Sequence, residues 1–194
     1  MRSFAKPLVA ASFVLTLSTS SWATMLTWQT SLSGLVESPP NASPGTGSAQ
    51  VDIDTVVKTM RVQVTFSGLL GNTTASHVHA ATASPNTGTA GVATELPLFT
   101  GFPTGVTAGS YDHTFDMTQL SSWNINYVNA NGGTTDSALT AFIAALNAEK
   151  AYLNVHTQAF PSGEIRGFMH AVPEPATMSL LGLALIPALR RRKR

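Results

Sequence analysis

Alternation of apolar and polar residues predicts β-strands along most of the chain. Over residues 59–66, Met60, Val62, Val64 and Phe66 alternate with polar positions, which places all four on one face of a strand. The same two-residue period recurs over 26–35, 49–53, 75–81, 109–117, 152–156 and 164–171, and more weakly over 92–99. Turn-forming residues separate these segments about every ten residues, a spacing typical of all-β domains. The pattern therefore predicts an antiparallel sandwich or barrel.

One segment instead has helical spacing. Leu139, Phe142, Ile143 and Leu146 recur three and four residues apart, and Asp136 is a suitable N-cap. We expect one short helix over about 136–149, beside the predicted sheet.

The segment from Tyr152 to Gly167 predicts a hairpin around which the domain is organised. Its first strand places Leu153 and Val155 on one face, and Tyr152, Asn154 and His156 on the other. A Phe-Pro-Ser-Gly turn at 160–163 follows, because Pro fixes one backbone angle and Gly permits unusual ones. The second strand then carries Glu164 and Arg166 on the face opposite Ile165.

The first 23 residues have the pattern of a secretory signal peptide. A basic start is followed by an apolar run over 8–17 and by small residues up to Ala23, after which we expect cleavage. The alternative is a transmembrane helix, but the apolar run falls well short of the roughly 20 residues that a span needs. The pattern predicts export, with residues 24–171 as the exported domain.

The last residues, 172–194, form a tail with three parts. Val172-Pro173-Glu174-Pro175 is followed by an apolar segment over 176–189 and then by the basic run 190–194. A membrane anchor with its basic end in the cytoplasm is the plainest interpretation. The order of the parts also resembles a PEP-CTERM sorting signal, in which Pro173, Glu174 and Pro175 form the signature. This resemblance implies recognition by exosortase-type machinery in a bacterial inner membrane, followed by delivery to the cell surface or extracellular matrix.

Composition excludes several classes of function. The chain has no cysteine, which excludes disulfides, thiolate catalysis and cysteine–metal clusters. Five of its eleven basic residues lie in the terminal run, and residues 24–172 contain four basic and nine acidic side chains, a net charge of −5. No basic patch is available for phosphates, so nucleic acid is not an expected partner.

Three histidines are the best candidates for metal ligands. His77 and His79 share one face of a predicted strand, opposite Val78, and His156 lies opposite Val155 in the final hairpin. If the two strands are neighbours, three imidazoles can converge on copper or zinc. The alternative is that these rings only form hydrogen bonds to loop backbone.

The acidic side chains are weaker candidates for a catalytic or metal site than the three histidines. Glu164 and Arg166 share a strand face, where we expect a structural ion pair or loop contacts rather than catalysis, since no nucleophile or second carboxylate lies near them in sequence. Asp52 with Asp54, and Asp112 with Asp116, are candidates for calcium ligands or, alternatively, for solvated sheet faces. Nucleophile elbows, phosphate-binding glycine loops and zinc-protease helices are all missing from the sequence. We therefore assign no catalytic residue and do not expect an enzyme.

Together, several of these motifs resemble the CHRD (chordin-type) domain over about residues 25–171. The resemblance rests on Gly68-Leu69, His77-Val78-His79, Tyr152 to Thr157 and, most specifically, Gly163-Glu164-Ile165-Arg166-Gly167. It implies an immunoglobulin-like β-barrel similar to copper/zinc superoxide dismutase, a family that also binds copper with a His-x-His strand and a later Val-His strand. Those positions correspond here to His77, His79 and His156. The sequence departs from that family by having no cysteine pair, no evident bridging histidine and no evident electrostatic-loop arginine, so we do not expect dismutase activity.

The sequence thus predicts an exported cell-surface or matrix protein whose domain is a binding or structural module, with exopolysaccharide or other matrix components as candidate partners. The main alternative is a metalloprotein with a copper or zinc site, capable of redox chemistry with copper. A hydrolase acting on matrix polymers would require a carboxylate pair in a cleft.

Overall fold

A computed structural model describes residues 25–173 as an antiparallel sheet of eight strands, curled into a half-barrel. The strands are β1 (Met25–Ser33), β2 (Thr46–Asp54), β3 (Thr59–Ser67), β4 (Thr73–His79), β5 (Gly109–Asp116), β6 (Tyr152–Thr157), β7 (Ile165–Phe168) and β8 (His170–Ala171). The helices are α1 (Ile125–Ala130) and α2 (Thr135–Asn147), with short 3-10 turns at Gly34–Val36 and Leu120–Ser122. The predicted all-β architecture is confirmed.

The strand order is β4-β6-β7-β1-β2-β3-β5, and β8 pairs with β1. Residues 164–171 do not form one strand as predicted. The backbone N–H of Met169 donates to the carbonyl of Ala151, so β7, which pairs with β6 and β1, ends before β8 begins. After this change of partner, the last strand of the domain, β8, pairs with β1 alone.

The core lies on one face of the sheet, as the alternation predicts. Val51, Ile53, Met60 and Val62 are fully buried, and Phe142 of α2 packs in the same cluster. Burial of these and similar apolar side chains provides the main driving force for folding.

The start of α2 differs from the prediction by two residues. Thr134 is the N-cap, and its hydroxyl and backbone exchange hydrogen bonds with Ser137 in a capping box. Asp136 lies in the first turn, where it forms a salt bridge with Lys58 at 2.8 Å. The six-residue helix α1, capped by Asn124, was not predicted.

The prediction of a weak strand over 92–99 is wrong. Within this segment only Val92 and Thr94 form isolated bridges, and residues 95–98 are bends. Pro97 has no N–H to donate to a ladder, and the hydroxyl of Thr94 accepts the backbone N–H of Val78. The segment is therefore a loop that lies over β4, next to the histidines.

The predicted signal peptide, with cleavage at Ala23, lies outside the described residues, as does the sorting tail from Glu174 onward. Within residues 25–173, no helix is both long and apolar enough to cross a membrane.

Candidate metal centre

The three candidate histidines lie on two neighbouring strands. In the antiparallel pair of β4 and β6, His77 lies opposite Asn154, His79 opposite Tyr152, and Ala75 opposite His156. All three imidazoles consequently share one face of the sheet. Val78 and Val155 point to the other face and are fully buried in the core.

The three rings converge. One ring nitrogen of each histidine lies within 4.8 Å of the corresponding nitrogens of the other two, and the ring centroids are 5.2–5.9 Å apart. A metal–imidazole bond is about 2.0–2.1 Å, so two ligands of one ion are at most about 4.1 Å apart. Small rotations of the three rings, which move each nitrogen by less than about 1 Å, would bring the nitrogens close enough to bind one ion.

A loop carbonyl holds each ring by its outer nitrogen. His77 Nε2 donates to Pro97, His79 Nδ1 donates to Ala90 at 2.9 Å, and His156 Nδ1 donates to Pro161 at 3.0 Å, in each case to the backbone oxygen. Such bonds fix the tautomer and the ring orientation, as they do for metal-bound histidines. Hydrogen bonding to loop backbone, the alternative expected from the sequence, thus accounts for only one nitrogen of each ring.

The inner nitrogens have no partner among the described residues. His77 Nδ1, His79 Nε2 and His156 Nε2 are buried without a hydrogen bond from any group in residues 25–173. Because a buried polar atom normally has a partner, three such atoms in one cluster are unusual. With the outer nitrogens protonated, each inner nitrogen presents a lone pair, which is what a metal ion requires.

Burial keeps the rings neutral. His77 is 6% exposed and His79 is 9% exposed, and desolvation lowers the pKa of His79 to about 4. Desolvation likewise lowers the pKa of His77 and of His156, against the opposing effect of their hydrogen bonds to Pro97 and Pro161. At neutral pH the cluster is therefore uncharged and available to a cation.

Tyr152 and Arg166 support the site from behind His79. The Tyr152 ring stacks on His79 with centroids 4.7 Å apart, and its hydroxyl contacts the same Ala90 carbonyl that His79 binds. The Arg166 guanidinium lies 4.6 Å from the Tyr152 centroid and donates to the carbonyls of Val36 and Gly88. The alternation of the final hairpin places Tyr152 on the same face as His156, and this pattern could have indicated that Tyr152 lies beside the site. No pattern in the sequence indicates which loop carbonyls bind the three rings.

The Gly-Glu-Ile-Arg-Gly segment is a structural junction. The buried carboxylate of Glu164 accepts hydrogen bonds from the hydroxyls of Ser43 and Thr157, both at 2.6 Å, and from the backbone N–H groups of Leu70 and Gly71. Gly163 has a φ of +131°, and Ile165 is fully buried. Arg166 approaches Glu37 (3.7 Å) rather than Glu164 and donates to loop carbonyls. Of the two alternatives expected for Glu164 and Arg166, the structure therefore shows the loop contacts and not the mutual ion pair.

The aspartates have partners on their own faces. Asp52 accepts from Thr27 and Gln50, and Asp112 pairs with Arg61. Asp54 and Asp116 each accept backbone N–H groups of the turn that follows them. Within residues 25–173, the three histidines form the only group of potential metal ligands with this proximity.

Two family models match the chain. The PEP-CTERM protein-sorting motif matches residues 171–193, which implies export, C-terminal anchoring in the membrane for sorting, and recognition by exosortase-type machinery. Comparison with curated proteins and with solved structures gives no match. The model of the CHRD domain matches residues 28–169, the part that contains the three histidines and the Glu164 junction. The chain therefore belongs to the CHRD domain family and carries a PEP-CTERM sorting motif at its C-terminal end.

Proposed function

We propose that this CHRD domain is a metal-binding module of the bacterial cell surface or extracellular matrix, which holds one copper or zinc ion with His77, His79 and His156. The observation that carries the proposal is the set of three buried inner nitrogens, one from each ring, that lack a hydrogen-bond partner in the part of the chain that the structure describes.

The donor set favours copper or zinc over harder cations. Neutral imidazole suits zinc and copper, whereas calcium and magnesium require oxygen ligands. The group contains no carboxylate, so a fourth position on a tetrahedral ion would be filled from solution. Copper bound there would supply one-electron chemistry, and zinc would supply a Lewis acid.

Metal analysis of the purified protein tests the proposal. After loading with copper or zinc and removal of excess metal, we expect about one equivalent per chain, and a loss of at least about tenfold in affinity for His79→Ala and for His156→Ala. His170→Ala is the matched control, because His170 is exposed and pairs with Glu149. Its metal content should equal that of the parent.

The same experiment distinguishes the competing function. A folded protein that takes up neither metal under replete conditions would favour a binding or structural module without metal.

A specific surface favours that second function. The solvent-facing sides of β1, β2, β3 and β5 line an open depression of about 750 Å³, which is rich in amide and hydroxyl groups and lies away from the histidines. Gln29 donates to Gln50 there at 2.7 Å, and Ser48 and Thr65 share a hydrogen bond. Such a face could bind a hydroxyl-rich polymer such as an exopolysaccharide.

Co-sedimentation with polysaccharide tests this second function. Binding that is weakened by Gln63→Ala and unaffected by His79→Ala would support it, and the absence of co-sedimentation would exclude it.

A further inference from the structure

The C-terminal end of the folded domain leaves the sheet beside the start of β1. Strand β8 pairs antiparallel with β1, and the N–H of Val172 donates to the carbonyl of Thr27 at 2.8 Å. The chain is therefore heading toward Met25, the first residue of β1, when it reaches Pro173. The apolar segment of the sorting motif begins at Ala176, only four residues after Val172.

The same end of the sheet carries the turn between β2 and β3. Met25 lies opposite Asp54, the last residue of β2, and the turn that follows contains Val56 and Val57. These two valines are 60% and 61% exposed, and Met25 and Val172 are 47% and 38% exposed. We call these four residues the valine end.

Two adjacent exposed valines are unusual in a tight turn. Such positions favour Gly, Asn, Asp, Ser or Pro, each for a backbone reason. The turn is nevertheless ordered, because the Asp54 carboxylate accepts the N–H groups of Val56 and Val57. The local backbone therefore gives no reason for apolar side chains here.

The length of the connecting segment limits how far the valine end can lie from a membrane. Four residues span at most about 14 Å when fully extended. The polar headgroup region of a bilayer is about 5–8 Å thick on each side. If Ala176 lies at the edge of the hydrocarbon, Val172 is within about 14 Å of that edge, so the end of the domain lies no more than about 6–9 Å above the headgroups.

We propose that, while the C-terminal tail is inserted, the valine end rests on the lipid surface, with Val56 and Val57 in the interfacial region. The contact is apolar rather than electrostatic. Within residues 25–173, the charged groups near this end include Asp54, which holds the turn, Lys58, which pairs with Asp136, and Asp116, which accepts from Thr118. Asp52 and Arg61 lie beside Met25, and Arg61 pairs with Asp112. Their sum is acidic, so this end does not select anionic lipid.

The absence of cysteine from the chain permits a direct test with single labelled cysteines. The full chain would be reconstituted in phosphatidylcholine vesicles as Val57→Cys, labelled with an environment-sensitive fluorophore. Leu70→Cys is the matched control, since Leu70 is 59% exposed and follows β3 at the opposite end of the sheet. We expect the Val57 label to emit at shorter wavelength and to lose more than about half of its intensity to nitroxide-bearing lipid, without sensitivity to salt. The Leu70 label should respond to neither.

A second substitution separates contact by the valine end from tethering by the tail. Val56→Asp in the Val57→Cys chain should return the label to an aqueous spectrum, while the chain still floats with the vesicles. The proposal is overturned if the chain does not float, if both labels respond equally, or if the Val57 label remains in water. None of these outcomes changes the expected metal content.

Discussion

Glu164 ties the final hairpin to two neighbouring segments of the chain. Burial opposes ionisation of its carboxyl, but hydrogen bonds from Ser43, Thr157, Leu70 and Gly71 outweigh this and lower its pKa. A carboxyl with a lowered folded-state pKa stabilises the protein at pH values above its unfolded-state pKa, near 4.5. That contribution is lost as the pH falls through the lower, folded-state value.

We predict that Glu164→Gln lowers the free energy of unfolding by about 2–4 kcal/mol at pH 7, because the new amide donor faces groups that are themselves donors. Urea denaturation measures the change. Glu95→Gln is the control, since Glu95 also accepts a backbone N–H and a hydroxyl, both of Thr100, but at an exposed site. Equal losses in the two variants would contradict a special role for the buried junction.

Glu37 has the opposite pH dependence. Burial raises the pKa of Glu37 to about 7, against the lowering effects of the Arg166 charge and of a hydrogen bond from Ser38. Between pH 4.5 and 7 the folded state thus binds more protons than the unfolded state, and the free energy of unfolding falls as the pH rises, by at most about 3 kcal/mol.

Glu37→Gln should remove this dependence. We expect the stability of the variant relative to the parent to increase between pH 5 and pH 8, as measured by denaturation at both values. A constant or decreasing difference would show that Glu37 ionises normally in the folded state.

At this scale, strand periodicity predicted the faces of His77, His79 and His156 correctly. It did not predict that loops would cover that face. The rings point away from the core, yet His77 and His79 are buried and His156 is half-buried. The carbonyls that hold them come from Pro97, Ala90 and Pro161, in segments without periodicity.

Among the elements, the close packing of β7 against β1 explains the second glycine of the Gly-Glu-Ile-Arg-Gly segment. A Cβ on Gly167 would lie 2.3 Å from the carbonyl oxygen of Ser31 and 2.4 Å from the hydroxyl oxygen of Thr30. The first of these atoms belongs to the backbone and cannot move without displacing β1.

We predict that Gly167→Ala lowers the free energy of unfolding by about 2–4 kcal/mol, since the two strands must separate to admit a methyl group. Thermal unfolding followed by circular dichroism measures it. Gly91→Ala is the matched control, because its Cβ would have no neighbour within 4 Å among residues 25–173. A Gly167 variant as stable as the Gly91 variant would contradict the proposed contact.

Elements with strong local patterns were predictable, and those defined by distant contacts were not. The β2–β3 hairpin and α2 have clear periods of two and about 3.6 residues. The segment around Val92 and Thr94 alternates weakly, and contacts with β4 and Trp123 make it a loop. The division between β7 and β8 depends on Ala151, which is distant in sequence.

For the whole molecule, topology makes the candidate site possible. His79 of β4 and Tyr152 of β6 are 73 residues apart in sequence (152 − 79), yet they lie side by side in the sheet. Alternation predicts which residues share a face but not which strands are neighbours. The adjacency of the histidines could therefore only be assumed from the sequence.

If a metal joins these two strands in the folded state alone, it must stabilise the whole domain. At a free metal concentration of about 100 times the dissociation constant, we expect about 2.7 kcal/mol of added stability, and a rise in Tm of roughly 5–10 °C. The rise should disappear in His79→Ala and persist in His170→Ala. An equal rise in the parent and in His79→Ala would place the metal elsewhere.

X-ray absorption spectroscopy of the copper- or zinc-loaded protein tests the central claim most directly. We expect three imidazole nitrogens at about 2.0–2.1 Å, with the outer-shell scattering of histidine rings and no sulfur. A first shell of oxygen alone, or a histidine count that is unchanged in His79→Ala, would contradict the site formed by His77, His79 and His156.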